Sequence, residues 1–272
     1  MNIEQEQLTS LRKVQLEILD EFVSICEENN LSYFLTAGTL LGAVRHKGFI
    51  PWDDDVDVAM PRKDYELLLD IYDKKINESY YVVSYRTKTK AGNYCKHFSR
   101  FCKSCTLYAE KNKEPDGYTG IFIDIWPFDK SILFFASLQY NLIKLFLKLC
   151  RIKAGINLYY SKWKYSLGKF FCLFLSVNFL NNIHRKLYLI FNKNKTKYIT
   201  FFSALYGAKR ETHKYNIIYP LDKILFEEKY YNVPNNYDRF LKDLYGNYMI
   251  LPPVENQRIH STGEIIFNTD KQ

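Results

Sequence analysis

The stretch Asp53-Asp54-Asp55-Val56-Asp57-Val58-Ala59-Met60 sets four carboxylates within five residues, and its alternation with apolar residues decides how the chain folds. A period of two marks a β-strand, in which successive side chains leave opposite faces. Asp55 and Asp57, with Asp53 if the strand begins early, then share one face while Val56 and Val58 enter the core. An acidic run by itself reads as a solvated loop; the valines reverse that reading. Two carboxylates one residue apart repel and raise a pKa, so the arrangement is favourable when a divalent cation neutralises it. Oxygen-only ligation selects Mg2+ or Mn2+ over zinc.

Upstream, Gly48-Phe49-Ile50-Pro51-Trp52 is a loop by its Gly and Pro. Before it, the β-prone run Tyr33-Phe34-Leu35 leads into Thr36-Ala37-Gly38-Thr39, where Gly38 supplies a backbone turn and Thr39 caps a short helix reaching Val44. The N–H groups and positive dipole end of that helix suit phosphate oxygens. Arg45, His46 and Lys47 add positive charge between this turn and the acids. From Glu4 to Asn29, Leu8, Leu11, Ile18, Leu19, Phe22, Ile25 and Cys26 recur at helical spacing.

Downstream, Pro61 to Tyr72 reads as helix, and Tyr80 to Val83, Tyr94 to Phe101 and Thr106 to Ala109 read as strands. Gly120 to Trp126 is a near-continuous hydrophobic strand that Pro127 stops. It carries one acid, Asp124, which on a neighbouring strand would complete a three-carboxylate site. Taken alone, Asp124 also suits a buried acid paired with an arginine. Ser131 to Phe202 is helix-rich, Phe226 to Val233 reads as a strand, and Asn235 caps a helix that Gly246 ends.

With 47% hydrophobic and 25% charged residues, and only 11 Gly and 8 Pro among 272, disordered and collagen-like classes are excluded. The net charge of +8 favours anionic partners without choosing among them. The polar, acidic start MNIEQEQLTS lacks the basic and apolar regions of a signal peptide, so a cytoplasmic protein with six reduced cysteines is expected. Ile132 to Cys150 is apolar but interrupted by Gln139, Asn141, Lys144 and Lys148, which argues against a membrane span. An amphipathic bundle is the expected form, with contact to an anionic membrane surface as the other reading. Cys95, His97, Cys102 and Cys105 have a superficial zinc spacing, yet the first two fall on one face of a predicted strand, and structural zinc is not expected. Trp52 could stack on a base, though a packed core position is the expectation.

The segment Thr36 to Tyr65, TAGTLLGAVRHKGFIPWDDDVDVAMPRKDY, resembles the signature of the LicD family, phosphotransferases that decorate bacterial surface glycans and are related to fukutin. GIFIDIWPFD at Gly120 to Asp129, YNVPNNYDRFLKDLYGNYMILPP at Tyr231 to Pro253, and Arg258 with His260 are similar to it as well. The resemblance implies an α+β fold, a nucleotidyltransferase-like mixed β-sheet core flanked by helices, with a helix-rich central insertion. Residues 1–130 would form the catalytic core, 131–216 the helical region on an acceptor or membrane side, and 217–272 a segment packing back on the core.

It further implies that Asp55, Asp57 and Asp124 bind the metal, with Asp124 the expected proton acceptor. Gly38, Thr39, Arg45 and Lys47 face the nucleotide phosphates, and Asp53, Arg258 and His260 are secondary candidates. The implied substrates are a CDP-activated alcohol donor, usually CDP-choline and in relatives a ribitol or glycerol phosphate donor, and a glycan or glycolipid acceptor in lipopolysaccharide, teichoic acid or capsule. CMP leaves and no nucleic acid is involved. Among 23 tyrosines, no aromatic cage for choline can be located. Two rivals stay open: transfer of NMP from an NTP to a small molecule, protein or RNA, and a non-enzymatic basic protein that binds nucleic acid or a membrane surface.

Overall fold

In the computed structural model, which describes residues 3–74, 79–89, 92–93, 98–109, 118–153, 162–172, 175–204, 206–257 and 264–268, helices flank a mixed sheet. The chain begins with α1 (Ile3–Glu28), β1 (Phe34–Leu35), α2 (Ala37–His46), β2 (Asp57–Pro61), α3 (Arg62–Lys74) and β3 (Tyr80–Val83). Short strands β4 (Lys88–Thr89) and β5 (Gly92–Asn93) follow, then β6 (Ser99–Lys103), β7 (Leu107–Ala109), β8 (Tyr118–Thr119) and β9 (Phe122–Ser131). The central part holds α4 (Leu133–Lys153), α5 (Lys162–Phe171), α6 (Val177–Leu189), β10 (Tyr198–Thr200), α7 (Ala208–Glu211), β11 (Thr212–Lys214) and α8 (Tyr215–Ile218). The chain closes with β12 (Asp222–Phe226), β13 (Lys229–Val233), α9 (Tyr237–Tyr245), a 3-10 turn at Val254–Asn256 and β14 (Glu264–Ile266).

β9 organises the main seven-stranded sheet. It lies parallel to β2 on one side; on the other, antiparallel β6 pairs with its first half and antiparallel β10 with its last residues. Pro127 does not stop this strand. The Asp124 N–H points to the Val56 carbonyl, so Pro127, three residues on, presents its nitrogen to the opposite side. Among the described residues that side has no strand partner at Pro127, because β6 pairs as far as Ile125 and β10 starts at Asp129. The missing donor therefore costs none of the ladder bonds to β2.

Three other expectations shift. Strand β2 starts only at Asp57, because α1 takes the carbonyls upstream: Arg12 binds those of Ile50, Pro51 and Asp53, and the Gln15 amide that of Asp54 (2.8 Å). The expected strand from Phe226 to Val233 is half of a hairpin, β12 and β13, turning at Glu227, whose φ is 52°. The last helix is capped by Asn236 rather than Asn235, its side chain accepting from the Arg239 N–H (3.0 Å). The central region is helical as expected, yet it also contributes β10 and β11 to the main sheet.

The core is aromatic. Phe34 meets Phe128, Phe201 and Phe240 with ring centroids 5.6, 6.3 and 6.2 Å away, and Phe22 of α1 packs on Tyr33 and Phe101. Among the described residues, Cys26 and Cys172 are free thiols. Cys95 and His97 lie outside the described residues. Also among the described residues, α4 alone is long and apolar enough, by length and composition, to cross a membrane.

Candidate active site

The register of the parallel pair sets the site: Asp57 of β2 stands directly opposite Asp124 of β9, on strands about 4.8 Å apart. Asp55, two residues before Asp57, stands near enough for its charge to act on Asp57 and is half-buried, whereas Asp53, Asp54, Asp57 and Asp124 are buried. α2 fixes the Asp57 backbone. Thr36 N–H donates to the Asp57 carbonyl (3.1 Å), and Asp57 N–H donates to Thr39 Oγ1 (2.8 Å). Thr39 thus sits inside the first turn and anchors the acid strand; the capping position falls to Thr36.

The backbone turn expected at Gly38 is made by Ala37, whose φ of 46° is left-handed and carries a strain of about 1 kcal/mol for an L-residue. Gly38 serves another purpose. A Cβ there would stand 2.7 Å from Asp53 Oδ2, so only glycine lets that carboxylate lie against the positive end of α2. Gly38→Ala is expected to keep the fold and to lower any activity of this site roughly 10- to 100-fold by displacing Asp53, since small misplacements cost that much. Turnover and a thermal melt of the purified variant check it.

The acids are held by neighbours that local sequence patterns do not reveal. Trp126 Nε1 donates to Asp57 Oδ1 (2.7 Å), and Phe98 stacks on Trp126 at 4.2 Å. Arg100 Nε lies 3.3 Å from Asp124 Oδ1, its guanidinium 3.7 Å from the centre of the Phe122 ring. Tyr108 donates to Asp54 Oδ2 (3.3 Å). Burial first, then the charges of Asp55 and Asp124, hold the Asp57 carboxyl well above the usual carboxylate range, against the Trp126 hydrogen bond. The site therefore concentrates negative charge where water cannot screen it. Among the described residues, no three His, Cys, Asp or Glu side chains stand close enough together to enclose a metal ion.

Tyr206 and Tyr245 pack edge to face (5.5 Å), and the phenols of both feel the charge of Asp57. Beneath them Glu211, buried and accepting from Tyr206 N–H (3.3 Å), is pushed up to about 7 by desolvation. Its native pKa exceeds the unfolded value near 4.5, so the native state binds more protons between those values and stability falls as pH rises through that window. Glu211→Gln should flatten this fall, leaving the variant roughly 3 kcal/mol more stable relative to wild type at pH 8 than at pH 4, as urea titrations at both pH values would record.

The structure places the remaining candidates elsewhere. Arg45 and Lys47 sit at the C-terminal end of α2, about 10 Å along the axis from Gly38. Arg45 donates to the Tyr248 carbonyl (2.8 Å) and to His46 Nε2 (2.9 Å), while the Lys47 carbonyl accepts from Glu227 N–H. Trp52 is half-buried against the core, edge-on to His46 at 6.4 Å. Arg258 and His260 lie outside the described residues.

Comparison with known proteins agrees with this architecture. Residues 30–137 match the family model described as "LicD/FKTN/FKRP, nucleotidyltransferase domain". The lipopolysaccharide cholinephosphotransferase LicD of Haemophilus influenzae is 31% identical over 269 residues, covering 92% of this chain and 94% of that protein. An uncharacterized protein of Rickettsia typhi is 28% identical over 220 residues, covering 76% of this chain and 64% of that one; one of Rickettsia prowazekii is 36% identical over 101 residues, covering 36% and 34%.

Proposed function

This chain belongs to the LicD family of phosphotransferases, and from that premise we propose that it transfers phosphocholine from CDP-choline to a sugar hydroxyl of a surface lipopolysaccharide. The observation that carries the reading is the register of Asp57 against Asp124, with Asp55 beside them. Three carboxylates and no nitrogen or sulfur ligand form a donor set suited to Mg2+ or Mn2+, and the excess buried charge around Asp57 is what a dication would relieve. Asp55, Asp57 and Asp124, which do not enclose an ion as they stand, would have to close up to hold one, and the ion when bound supplies charge neutralisation at the donor's diphosphate.

The chain's own residues supply the rest. The acceptor hydroxyl attacks the β-phosphorus, its oxygen forms the new P–O bond, and the bond to CMP breaks. Asp124 accepts the hydroxyl proton; Arg100, 3.3 Å from Asp124, adds a cation where phosphate charge gathers. Two aromatic pairs, Phe98 with Trp126 and Tyr206 with Tyr245, border the acids and offer ring faces to a quaternary ammonium.

Incubation with Mg2+ and a panel of CDP-choline, CDP-ribitol and CDP-glycerol, with lipopolysaccharide as acceptor, tests this directly. The expected result is CMP release that is fastest with CDP-choline, lost on chelation and restored by Mg2+ or Mn2+. Pyrophosphate release from a nucleoside triphosphate, with no CMP from any CDP compound, would overturn the reading in favour of nucleotidyl transfer.

A further inference from the structure

Charge is distributed very unevenly along this chain. From Lys130 to Arg210 there are fifteen Lys and Arg and not one Asp or Glu, which leaves 23 basic against 30 acidic residues for all the rest. The overall +8 therefore hides a strongly cationic unit built on an acidic body. That unit consists largely of α4, α5 and α6.

Its surface is also apolar. On α4, Ala136, Gln139, Ile143, Leu147 and Cys150 are buried, and polar bonds tie that side down: Gln139 to the Leu187 carbonyl (2.7 Å), and Tyr140 and Lys144 to that of Ala204 (2.9 and 3.2 Å). The opposite side is open. Phe134, Leu138 and Leu145, at i, i+4 and i+11, share one stripe and are 87%, 57% and 49% exposed. Five turns after Phe134 the same stripe reaches Ile152, where α5 covers it so closely that a Cβ on Gly168 would lie 2.5 Å from the Ile152 side chain.

α5 thus lies on the end of the stripe and turns its other side outward. That outer side presents Trp163 and Phe170, one heptad apart and 65% and 67% exposed. Both helices therefore offer large apolar side chains in one direction, flanked by cations such as Lys148 and Lys169.

From this we propose that the face formed by α4 and α5 docks flat on an anionic phospholipid bilayer, with Phe134, Leu138, Leu145, Trp163 and Phe170 entering the interface. The absence of any acid over eighty residues is what selects the occupant. A second copy packing the same face against this one would set cation against cation, whereas a negatively charged surface attracts each cation and would repel carboxylates. The tethered inner side of α4 makes the helix lie along the surface rather than cross it. The inference stands on this unit alone and is independent of the chemistry at Asp57.

Cosedimentation of the full chain with vesicles of equal parts phosphatidylglycerol and phosphatidylcholine, against phosphatidylcholine alone, is the test. Wild type should partition at least tenfold more strongly onto the anionic vesicles, and less so in high salt. Phe134→Glu/Leu138→Glu and, separately, Lys148→Glu/Lys169→Glu should each reduce that partition at least tenfold with unchanged circular dichroism. Equal binding to both vesicle types, or wild-type binding by the Phe134→Glu/Leu138→Glu variant, would overturn the proposal. So would a wild-type dimer that Phe134→Glu/Leu138→Glu splits while vesicle binding persists, since the occupant would then be a second copy. Resistance of the protein to alkaline carbonate extraction from membranes would overturn it in favour of a spanning α4.

Discussion

Asp57→Asn is expected to reduce phosphocholine transfer at least about 1,000-fold, roughly 4 kcal/mol of transition-state stabilisation, while leaving the protein as stable as before or more so. Asn is isosteric and keeps an oxygen to accept from Trp126 Nε1, so the 2.7 Å bond survives. What it removes is a buried negative charge facing Asp55 and Asp124. Because the native Asp57 carboxyl titrates above its unfolded value, the native state holds the extra proton, and metal-free wild type loses stability as pH rises through the carboxylate range and beyond. The variant should lack that loss. Opposite shifts in activity and stability are the mark of a charge kept for function. Retention of more than about a tenth of wild-type turnover, or a marked drop in melting temperature at pH 8, would contradict a metal-binding role worth several kcal/mol.

How far the sequence foretells this arrangement depends on the range of the interaction. The alternation of acids and valines from Asp53 to Met60, and the lone acid in the hydrophobic run around Asp124, are local patterns, and they suffice to bring Asp57 and Asp124 to adjacent strands. The α1 periodicity likewise reads true, with Leu8, Leu11, Ile18, Leu19, Phe22, Ile25 and Cys26 all buried. What fails is whatever depends on distant partners. Asp53 to Val56 alternates like a strand but is drawn to Arg12 and Gln15 of α1, two polar residues that helical periodicity alone would assign to solvent.

Pro127 reads as a terminator because the pairing with β2 that carries the strand past it, Met60 against Pro127, is a property of the sheet, not of the segment. The same holds for Tyr206 and Tyr245, which border the acids from some 150 and 190 residues away. No spacing rule links them to Asp57. Gly38 is the instructive intermediate case: its identity signals a backbone requirement, but the requirement is room for a carboxylate fifteen residues later, not a turn.

Asp129 exposes a further ambiguity, since it ends the same motif that carries Asp124. Five residues apart on one strand, the two acids leave opposite faces. Asp129 meets Arg62, the first residue of α3, in a bidentate pair at 2.9 and 2.8 Å, accepts from Asn192 Nδ2 (2.6 Å), and has a side chain with no exposed surface. The guanidinium lies over the rings of Tyr65 and Tyr188, at 5.1 and 4.9 Å. One arginine therefore joins α3, β9 and α6 behind the site. Arg62→Ala leaves Asp129 buried with only an amide for company, and a loss of about 3 to 5 kcal/mol in urea unfolding is expected.

The paired replacement Arg62→Met/Asp129→Asn removes both charges and should recover most of that loss, because the penalty belongs to the orphaned carboxylate rather than to the missing attraction. In either variant the folded fraction should retain near-normal transfer, for Asp129 and the Arg62 it binds lie on the face of β9 opposite Asp124. A single-mutant loss below about 1 kcal/mol would mean that water reaches Asp129 when the arginine is gone, and that the three elements are held by their apolar packing alone.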